Sequence, residues 1–414
     1  VGLMLTLGWV GDVAGRNKVF VAGFAVFSLG LIAGASSQNL SQLITSRILQ
    51  GVGSAMLLSN LNAFIISAFP ENERGKAIGI SGGIVGVGLS VGPLAGGLLL
   101  DLLDWRALMY SRVPIGLVGA VLGWYFLPRD RIGGPKFRVD VFGSIALFAS
   151  LASFLLFVNR GGKDGFTSTL AVSMAIVAIV SLPILIWSER RSLRPIVDVK
   201  LLKDKYYSSG LVVHVCHYLS HGGILLVAPF YIIHSLGYSP TKMGVVISFF
   251  YLGRTFFAPL AGRFSDQFGP VPFLVTGNIL FALGLLWIGL QGPGTSMINI
   301  AMAMLIASTG SALIEPVVTS VIMGSVPPDR IGTASAVVAT GRQTSFAIGV
   351  AVSGAIFAIR EKIYLESHIL PGHELGIVSA DAISAGFRDS VLVGAVVAVV
   401  AVILSMRMRG FNQI

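Results

Sequence analysis

The residues with the clearest potential for chemistry are ionisable side chains inside long apolar segments. Arg47 lies within segment 43–69, and Glu315 lies in the middle of segment 297–325, directly before Pro316. A charged side chain at membrane depth is unfavourable, so it usually faces a cavity or an opposite charge and marks an ion or substrate pathway. A carboxylate in such a place can bind and release a proton. Glu315 is therefore predicted to couple a proton to function or to contact a substrate.

Three further arginines, Arg112, Arg254 and Arg342, also fall at apparent membrane depth. If these and Arg47 line one cavity with Glu315, that cavity is positive and suits an anionic or zwitterionic substrate. Arg112 and Arg254 could instead extend to the membrane surface. Glu315 could also be paired permanently with Arg254 or Arg342, so the charge of the substrate stays open.

Three histidines, His214, His217 and His221, fall on one face of a helix, with Cys216 beside them. At most two of them converge well enough to share a ligand, so no metal site is predicted. The favoured interpretation is that they line a wet cavity or form hydrogen bonds across helices. A proton relay or a substrate contact is the alternative. The residues predicted to line a substrate cavity are Asn60, Arg112, His217, His221 and Arg342.

The elements that hold these residues are predicted to be membrane-spanning helices. Only 12% of residues are charged, 54% are hydrophobic, and the mean hydropathy is +0.84. A soluble core cannot absorb that much apolar surface. The apolar stretches are roughly 1–11, 19–36, 43–69, 77–100, 107–127, 141–159, 168–187, 207–233, 242–262, 271–290, 297–325, 332–358 and 390–406. The first is too short to span, and the chain starts with Val1, so we expect one helix upstream.

The two halves of the sequence repeat one another. Gly8-x-x-x-Asp12-x-x-Gly15 recurs as Gly262-x-x-x-Asp266-x-x-Gly269, and several residues near Gly53 recur near Gly310. Repeated bundles that rock around a central site are typical of transporters. The predicted organisation is an N-terminal bundle (1–127), two extra helices with a cytoplasmic linker (128–205) and a C-terminal bundle (206–414).

The charge pattern predicts the orientation in the membrane. The net charge is +10, and Lys and Arg concentrate in the loops on the side of residues 12–18, which predicts that these loops and the C-terminus are cytoplasmic. The location is then the cell (inner or plasma) membrane, crossed many times. No basic domain outside the membrane exists to bind nucleic acid. The sequence shows no Walker A motif, no enzyme motif and no cofactor motif, so an ion gradient is the expected energy source.

Four motifs in order resemble those of the major facilitator superfamily, specifically its fourteen-helix drug:proton antiporter group. Gly8–Lys18 resembles the loop between the second and third helices, and Arg47–Gly53 resembles the fourth-helix motif. Gly88-x-x-x-Gly92-Pro93-x-x-Gly96-Gly97 resembles the antiporter motif of the fifth helix, and Trp105–Gly116 resembles the run into the sixth. The chain departs from the family at Val13, where Arg or Lys is usual. It also departs at Arg112, where Asn is usual.

The resemblance implies roles for particular residues. Arg47 occupies a position tied to proton coupling, whereas Glu315 lies outside the family motifs. Asp12 and Arg16, with the repeat residue Asp266, would form a gate that breaks as the halves move, with helix capping as the alternative. The residues Gly88, Gly92, Pro93, Gly96 and Gly97, here called the glycine stripe, would restrict leak between the two facing states.

The resemblance also implies a fold and a function. The fold is an all-α integral membrane protein of the major facilitator type. It has two pseudo-symmetric six-helix bundles and two extra central helices, and the first helix is absent from this chain. The function is proton-coupled efflux of small hydrophobic compounds such as drugs, antibiotics or toxic metabolites, by alternating access. The alternatives are a transporter of a specific organic anion or metabolite, and a non-transporting membrane sensor. The partners are a small-molecule substrate, protons and lipid, with a periplasmic adaptor in a Gram-negative cell.

Overall fold

The computed structural model describes residues 3, 7–8, 10–11, 14–68, 74–127, 141–191, 201–327, 331–368 and 375–408. Regular secondary structure in these residues is helical. The long helices are α1 (Arg16–Ala35), α2 (Leu40–Ala68), α3 (Arg74–Leu102), α4 (Val113–Phe126), α5 (Val141–Asp164), α6 (Thr169–Arg191), α7 (Lys205–Phe230), α8 (Pro240–Phe268), α9 (Pro270–Gly289), α10 (Met297–Gly324), α11 (Ile331–His368) and α12 (Leu375–Met406). A single turn, Ala107–Tyr110, precedes α4, and a π-helical turn, Tyr231–Ser235, ends α7.

The helices have the length and composition that a bilayer requires. Within the described residues, ten candidate spans are long and apolar enough to cross a membrane. Many large apolar side chains point outward, among them Leu29, Ile115 and Phe256. Helices satisfy their own backbone hydrogen bonds and can therefore place such a surface against lipid. The predicted all-helical, multi-pass membrane fold is confirmed.

The chain divides into two compact units. The first contains Val1–Val85, Ala95–Ala149 and Ser181–Ser188, and the second contains Gly86–Leu94, Ser150–Val180 and Glu189–Ile414. The middle of α3 thus belongs to the second unit, whereas both of its ends belong to the first. The bundle boundaries inferred from the sequence stay a prediction.

The sequence repeat corresponds to a repeated helix pair. In the first unit, a methyl group added to Gly53 on α2 would collide with the backbone of Phe27 on α1. In the second unit, a methyl group on Gly310 of α10 would collide with the backbone of Phe281 on α9. Both contacts join residues at equivalent positions of the repeat. Small residues therefore set the separation of the two helices in each copy.

The loop glycines of the repeat also share a backbone conformation. Gly15, before α1, has φ 101°, and Gly269, before α9, has φ 83°. Residues with a Cβ rarely adopt such values. The sharp entry into each helix therefore explains why both copies carry glycine there.

The stretch 360–389, which falls between the last two apolar segments of the sequence, is helical for most of its length. Helix α11 continues to its end at His368, and α12 begins well before residue 389. The extension is supported by stacking of Tyr364 on His368, with ring centroids 4.1 Å apart, and by the Lys362–Glu366 ion pair at 3.9 Å. Both pairs join neighbouring turns of one helix, which an apolarity count does not detect.

The close approach of α1 and α2 predicts a sharp contrast between two glycines on α2. Gly53→Ala should lower stability by about 1–3 kcal/mol, because the new methyl group forces the two backbones apart. Gly51→Ala is the matched control, since no atom lies within 4 Å of its added methyl group; it should be neutral or slightly stabilising through helix propensity. Thermal unfolding of the two purified variants in detergent measures the difference. Equal melting temperatures would contradict the packing described here.

Candidate functional site

Glu315 lies in the middle of α10, at the centre of a group of polar side chains from four helices. Its side chain is 14% exposed. One carboxylate oxygen is paired with the guanidinium of Arg254 on α8, and the other lies 3.4 Å from Nη1 of Arg342 on α11. The hydroxyl of Tyr218 on α7 donates a hydrogen bond to the same carboxylate. These four residues are called the charged cluster below.

Helix α10 holds the carboxylate in place through its apolar neighbours. Ile314, Val317 and Val318 are completely buried in the core of the second unit. Burial of these side chains fixes the rotation of α10 about its axis. Glu315 is therefore held on the side of α10 that faces α7, α8 and α11. Pro316 follows directly and lacks the amide that would bond to the carbonyl of Ala312, so the helix is locally weakened beside the carboxylate.

The electrostatic balance of the charged cluster depends on the state of Glu315. With Glu315 ionised, two guanidiniums face one carboxylate and the cluster carries one net positive charge. Charges interact more strongly in a low-dielectric surrounding than in water. The side chain of Arg342 is 45% exposed and that of Arg254 is 23% exposed. Arg342 is therefore the guanidinium that is more accessible to a solute.

A layer of histidines adjoins the charged cluster. Nε2 of His217 lies 3.0 Å from the hydroxyl of Ser311, which is one helical turn before Glu315 on α10. His217 also directly precedes Tyr218 on α7. Two successive residues of α7 thus contact two successive turns of α10. This arrangement corresponds to the predicted hydrogen bonding across helices.

Aromatic rings enclose the same histidines. The ring of His217 lies 4.8 Å from that of Phe281, and the ring of His221 lies 5.0 Å from that of Phe250. Nδ1 of each histidine is buried and lacks a hydrogen-bond partner in the described part of the chain. Within the same residues, no group of three or more metal-ligating side chains could hold an ion.

The predicted residues of the first unit have local partners. Arg47 is exposed, and its guanidinium donates to the side-chain oxygen of Gln50 at 2.8 Å. Asn60 is buried, and its amide donates to the carbonyl of Met56 at 2.9 Å. Arg112 is exposed and directly precedes α4. The role of each in coupling or in a cavity stays a prediction.

Of the three residues predicted to form the gate, the structure describes Arg16 and Asp266. Asp12 lies outside the described residues. Arg16 is the first residue of α1 and is half-buried, whereas Asp266 is exposed in the last turn of α8. The latch between them stays a prediction.

The glycine stripe lies along α3. The backbone at Pro93 meets Gly244 of α8 so closely that a methyl group on Gly244 would collide with the Pro93 carbonyl. Gly88 and Gly92 have no heavy atom of the described chain within 4 Å of an added methyl group. Within the second unit, the glycine stripe therefore packs closely against α8 at Pro93. Gly96 and Gly97 follow in the part of α3 that belongs to the first unit.

Two members of the charged cluster were not predicted as functional residues. Tyr218 was not predicted to contact Glu315, and Arg254 was predicted to line a cavity, to pair with Glu315 or to extend to the membrane surface, without a role in coupling. Tyr218 follows His214 by four positions and precedes His221 by three, so the spacing alone places it on the histidine face. Membrane depth identifies Arg254 as an unusual residue, but no sequence signal shows that it pairs with Glu315, because the two lie on different helices about 60 residues apart.

A separate polar cavity of about 450 Å³ lies at the far ends of α11 and α12. It is about 27 Å along α11 from Arg342, given a rise of about 1.5 Å per residue. The side chains that line it include Arg360, Tyr364, His368, Asp381, Ser384 and Arg388. This cavity is distinct from the charged cluster.

Comparisons with known proteins place the chain among membrane transporters. It is 30% identical over 356 residues to the riboflavin transporter RibZ of Clostridioides difficile (strain 630), covering 86% of this chain and 76% of that protein. It is 29% identical over 359 residues to the multidrug resistance protein Stp of Mycobacterium tuberculosis, covering 86% of this chain and 66% of that protein.

A solved structure shows the same fold at low sequence identity. The crystal structure of a POT family transporter in complex with a thioalcohol-conjugated peptide superposes with a TM-score of 0.68 at 15% identity. The match covers 99% of this chain and 86% of that one. The sequence matches the Major Facilitator Superfamily over residues 1–197 and 210–409. This helical membrane chain, with its repeated helix pairs, belongs to the Major Facilitator Superfamily.

Proposed function

We propose that the protein exports small, largely hydrophobic organic compounds in exchange for protons, by alternating access. The observation that carries this proposal is the charged cluster: a carboxylate at mid-helix depth, paired with Arg254 and Arg342 and hydrogen-bonded by Tyr218. Intramembrane ionisable groups of this kind commonly form proton pathways in transporters.

The cluster supports proton coupling because protonation changes what Glu315 can bind. The ionised carboxylate attracts both guanidiniums and joins α8, α10 and α11. The protonated carboxyl group loses that attraction, so both arginines are released and the three helices separate more easily. A packed helix bundle with two such arrangements switches between discrete states rather than deforming gradually.

Export of hydrophobic compounds is supported by the relatives. The relative Stp is named as a multidrug resistance protein. Beside the charged cluster, the histidine layer packs against the buried rings of Phe250 and Phe281. In this proposal the C-terminus is cytoplasmic and the protein acts as a transporter rather than an enzyme.

The other predicted residues take their places in the same proposal. Arg47 assists coupling in the first unit, while Asp12, Arg16 and Asp266 form the gate. The glycine stripe limits leak. His217 and His221 border the substrate path from α7, beside the charged cluster.

A second candidate function is transport of one specific organic anion or metabolite. Two guanidiniums against one carboxylate favour it, because an anionic group could replace Glu315 as the partner of the exposed Arg342. The relative RibZ is named as a transporter of a single metabolite, riboflavin. The two candidates differ in the charge and the range of compounds carried.

Transport in liposomes tests the first candidate. With a pH gradient imposed, full-length protein should move several cationic and neutral fluorescent compounds uphill, and Glu315→Gln should abolish uphill movement because its side chain cannot exchange a proton. Glu366→Gln is the matched control, since Glu366 is 66% exposed and its ion pair lies on the helix surface. Uphill transport by Glu315→Gln at the wild-type rate would exclude Glu315 from coupling.

Anion competition tests the second candidate. If an organic anion binds Arg342, Arg342→Gln should weaken its binding about tenfold or more, as expected for loss of a charged hydrogen bond. Arg342→Lys should retain part of the affinity, because the charge remains while the planar fork is lost. Equilibrium binding of a panel of anionic and cationic compounds measures both variants. Unchanged anion affinity in Arg342→Gln would leave cation or neutral export as the function.

The pairing within the cluster predicts a non-additive effect on stability. Glu315→Gln and Arg254→Gln should each destabilise the protein, because each leaves a charge without its partner. The double variant should lose less than the sum of the two, with an interaction energy of about 1–3 kcal/mol. Thermal unfolding in detergent at neutral pH measures the cycle. Strict additivity would show that the ion pair contributes nothing to stability.

A further inference from the structure

Helix α8 contacts both the charged cluster and the glycine stripe, through different faces. Gly244, Ser248 and Thr255 fall within about 40° of one another around the helix, whereas Arg254 is rotated by about 100° from Thr255. The first three face α3, and Arg254 faces Glu315 on α10. One helix thus connects two features that are far apart in the sequence.

The contact between α8 and α3 is made by backbone as well as side chains. The hydroxyl oxygen of Ser248 lies 2.7 Å from the carbonyl oxygen of Ser90 and 2.8 Å from that of Gly244, so its single proton is shared between the two acceptors. The backbone at Pro93 fits directly against Gly244, and a methyl group on Gly86 would lie 3.0 Å from the hydroxyl of Thr255. All of these residues belong to the second unit. The contact therefore combines the Ser248 hydroxyl with close backbone packing at Gly244.

The two contacts are mechanically close. Ser248 and Arg254 are six residues apart, or about 9 Å along the axis. Gly253, next to Arg254, approaches the hydroxyl of Ser308 on α10, so α8 also lies tightly against α10 at this level. A short rigid stretch of helix transmits a small displacement from one end to the other, because packed elements move as units.

We propose that α8 transmits the protonation of Glu315 to the glycine stripe, with Arg254 as the input and the Ser248–Ser90 hydrogen bond as the output. When Glu315 is ionised, its pair with Arg254 holds α8 against α10 and the Ser248 bond keeps α3 closed on α8. When a proton from the aqueous phase binds Glu315, Arg254 is released, α8 shifts, and the bond to Ser90 opens. Ser248 is thus a positioning residue. This inference rests on the proposed function.

Titratable and charged groups from each helix packed against α10 bear on this switch. Helix α9 contributes none. The groups from the other three helices are Arg254 and Tyr251 on α8, His214, His217, Tyr218 and His221 on α7, and Arg342 on α11. Arg342 is the second partner that must also release the carboxylate, and Arg254 is the partner on α8 itself. Of the two arginines, only Arg254 can pass the change at Glu315 to α8, because it is the one that lies on that helix.

Hydrogen–deuterium exchange of the full-length protein tests the proposal without measuring transport. Glu315→Gln imitates the protonated state, so backbone amides of α3 residues 86–94 should exchange about fivefold faster or more, as expected for a typical coupling between sites. Arg254→Gln should have the same effect and Arg254→Lys a smaller one. Glu366→Gln should have none. Exchange in α1 and α2 should not change, which separates the effect from general loosening.

A second measurement addresses the output of the switch. Ser248→Ala, a mild change, should raise substrate-free proton leak into liposomes about fivefold or more, and adding Glu315→Gln should raise it no further. The proposal would be overturned if hydrogen exchange at residues 86–94 were unchanged in both Glu315→Gln and Arg254→Gln. It would also be overturned if the proton leak of the Ser248→Ala, Glu315→Gln double variant equalled the sum of the leaks of the two single variants. Neither result would affect the coupling role of Glu315. That role fails only if Glu315→Gln still transports uphill.

Discussion

The structure of the second unit depends on one interaction: the pairing of a single intramembrane carboxylate with two guanidiniums. Glu315 contacts Arg254 on α8 and Arg342 on α11, and Tyr218 on α7 completes its surroundings. Isolated in lipid, none of these charges would be tolerated. Together they connect four helices of this unit. In the proposed function, protonation of this carboxylate weakens its pairing with the two arginines.

Close approach of helix backbones supplies the rigid framework around this pairing. Membrane helices gain no hydrophobic energy from one another in lipid, so they associate through close packing and hydrogen bonds. Gly53 on α2, Gly310 on α10 and Gly244 on α8 each bring two backbones into direct contact. The first two occur at equivalent positions of the repeat, whereas the third joins α8 to the glycine stripe. Small residues therefore determine how closely these helices approach one another.

The repeat explains the framework but not the chemistry. The helix pairs α1–α2 and α9–α10 share their glycine contacts and their positive-φ entry glycines. The position equivalent to Glu315 in the first copy is Leu58, and the position equivalent to Arg47 in the second is Met304. The two copies thus share a scaffold but carry their charged side chains at different positions.

The sequence by itself determined the membrane class, the helix-rich repeat and the unusual position of Glu315 within an apolar segment, because apolarity, glycine spacing and a lone carboxylate are local properties of the chain. It also predicted that Arg254 or Arg342 could pair with Glu315. Only the tertiary structure decided that both arginines do so, that Tyr218 joins them and that Ser248 on the same helix as Arg254 binds the α3 backbone. The helical extension to His368 was also missed. Partner choice depends on which helix faces are brought together, and no local pattern specifies that.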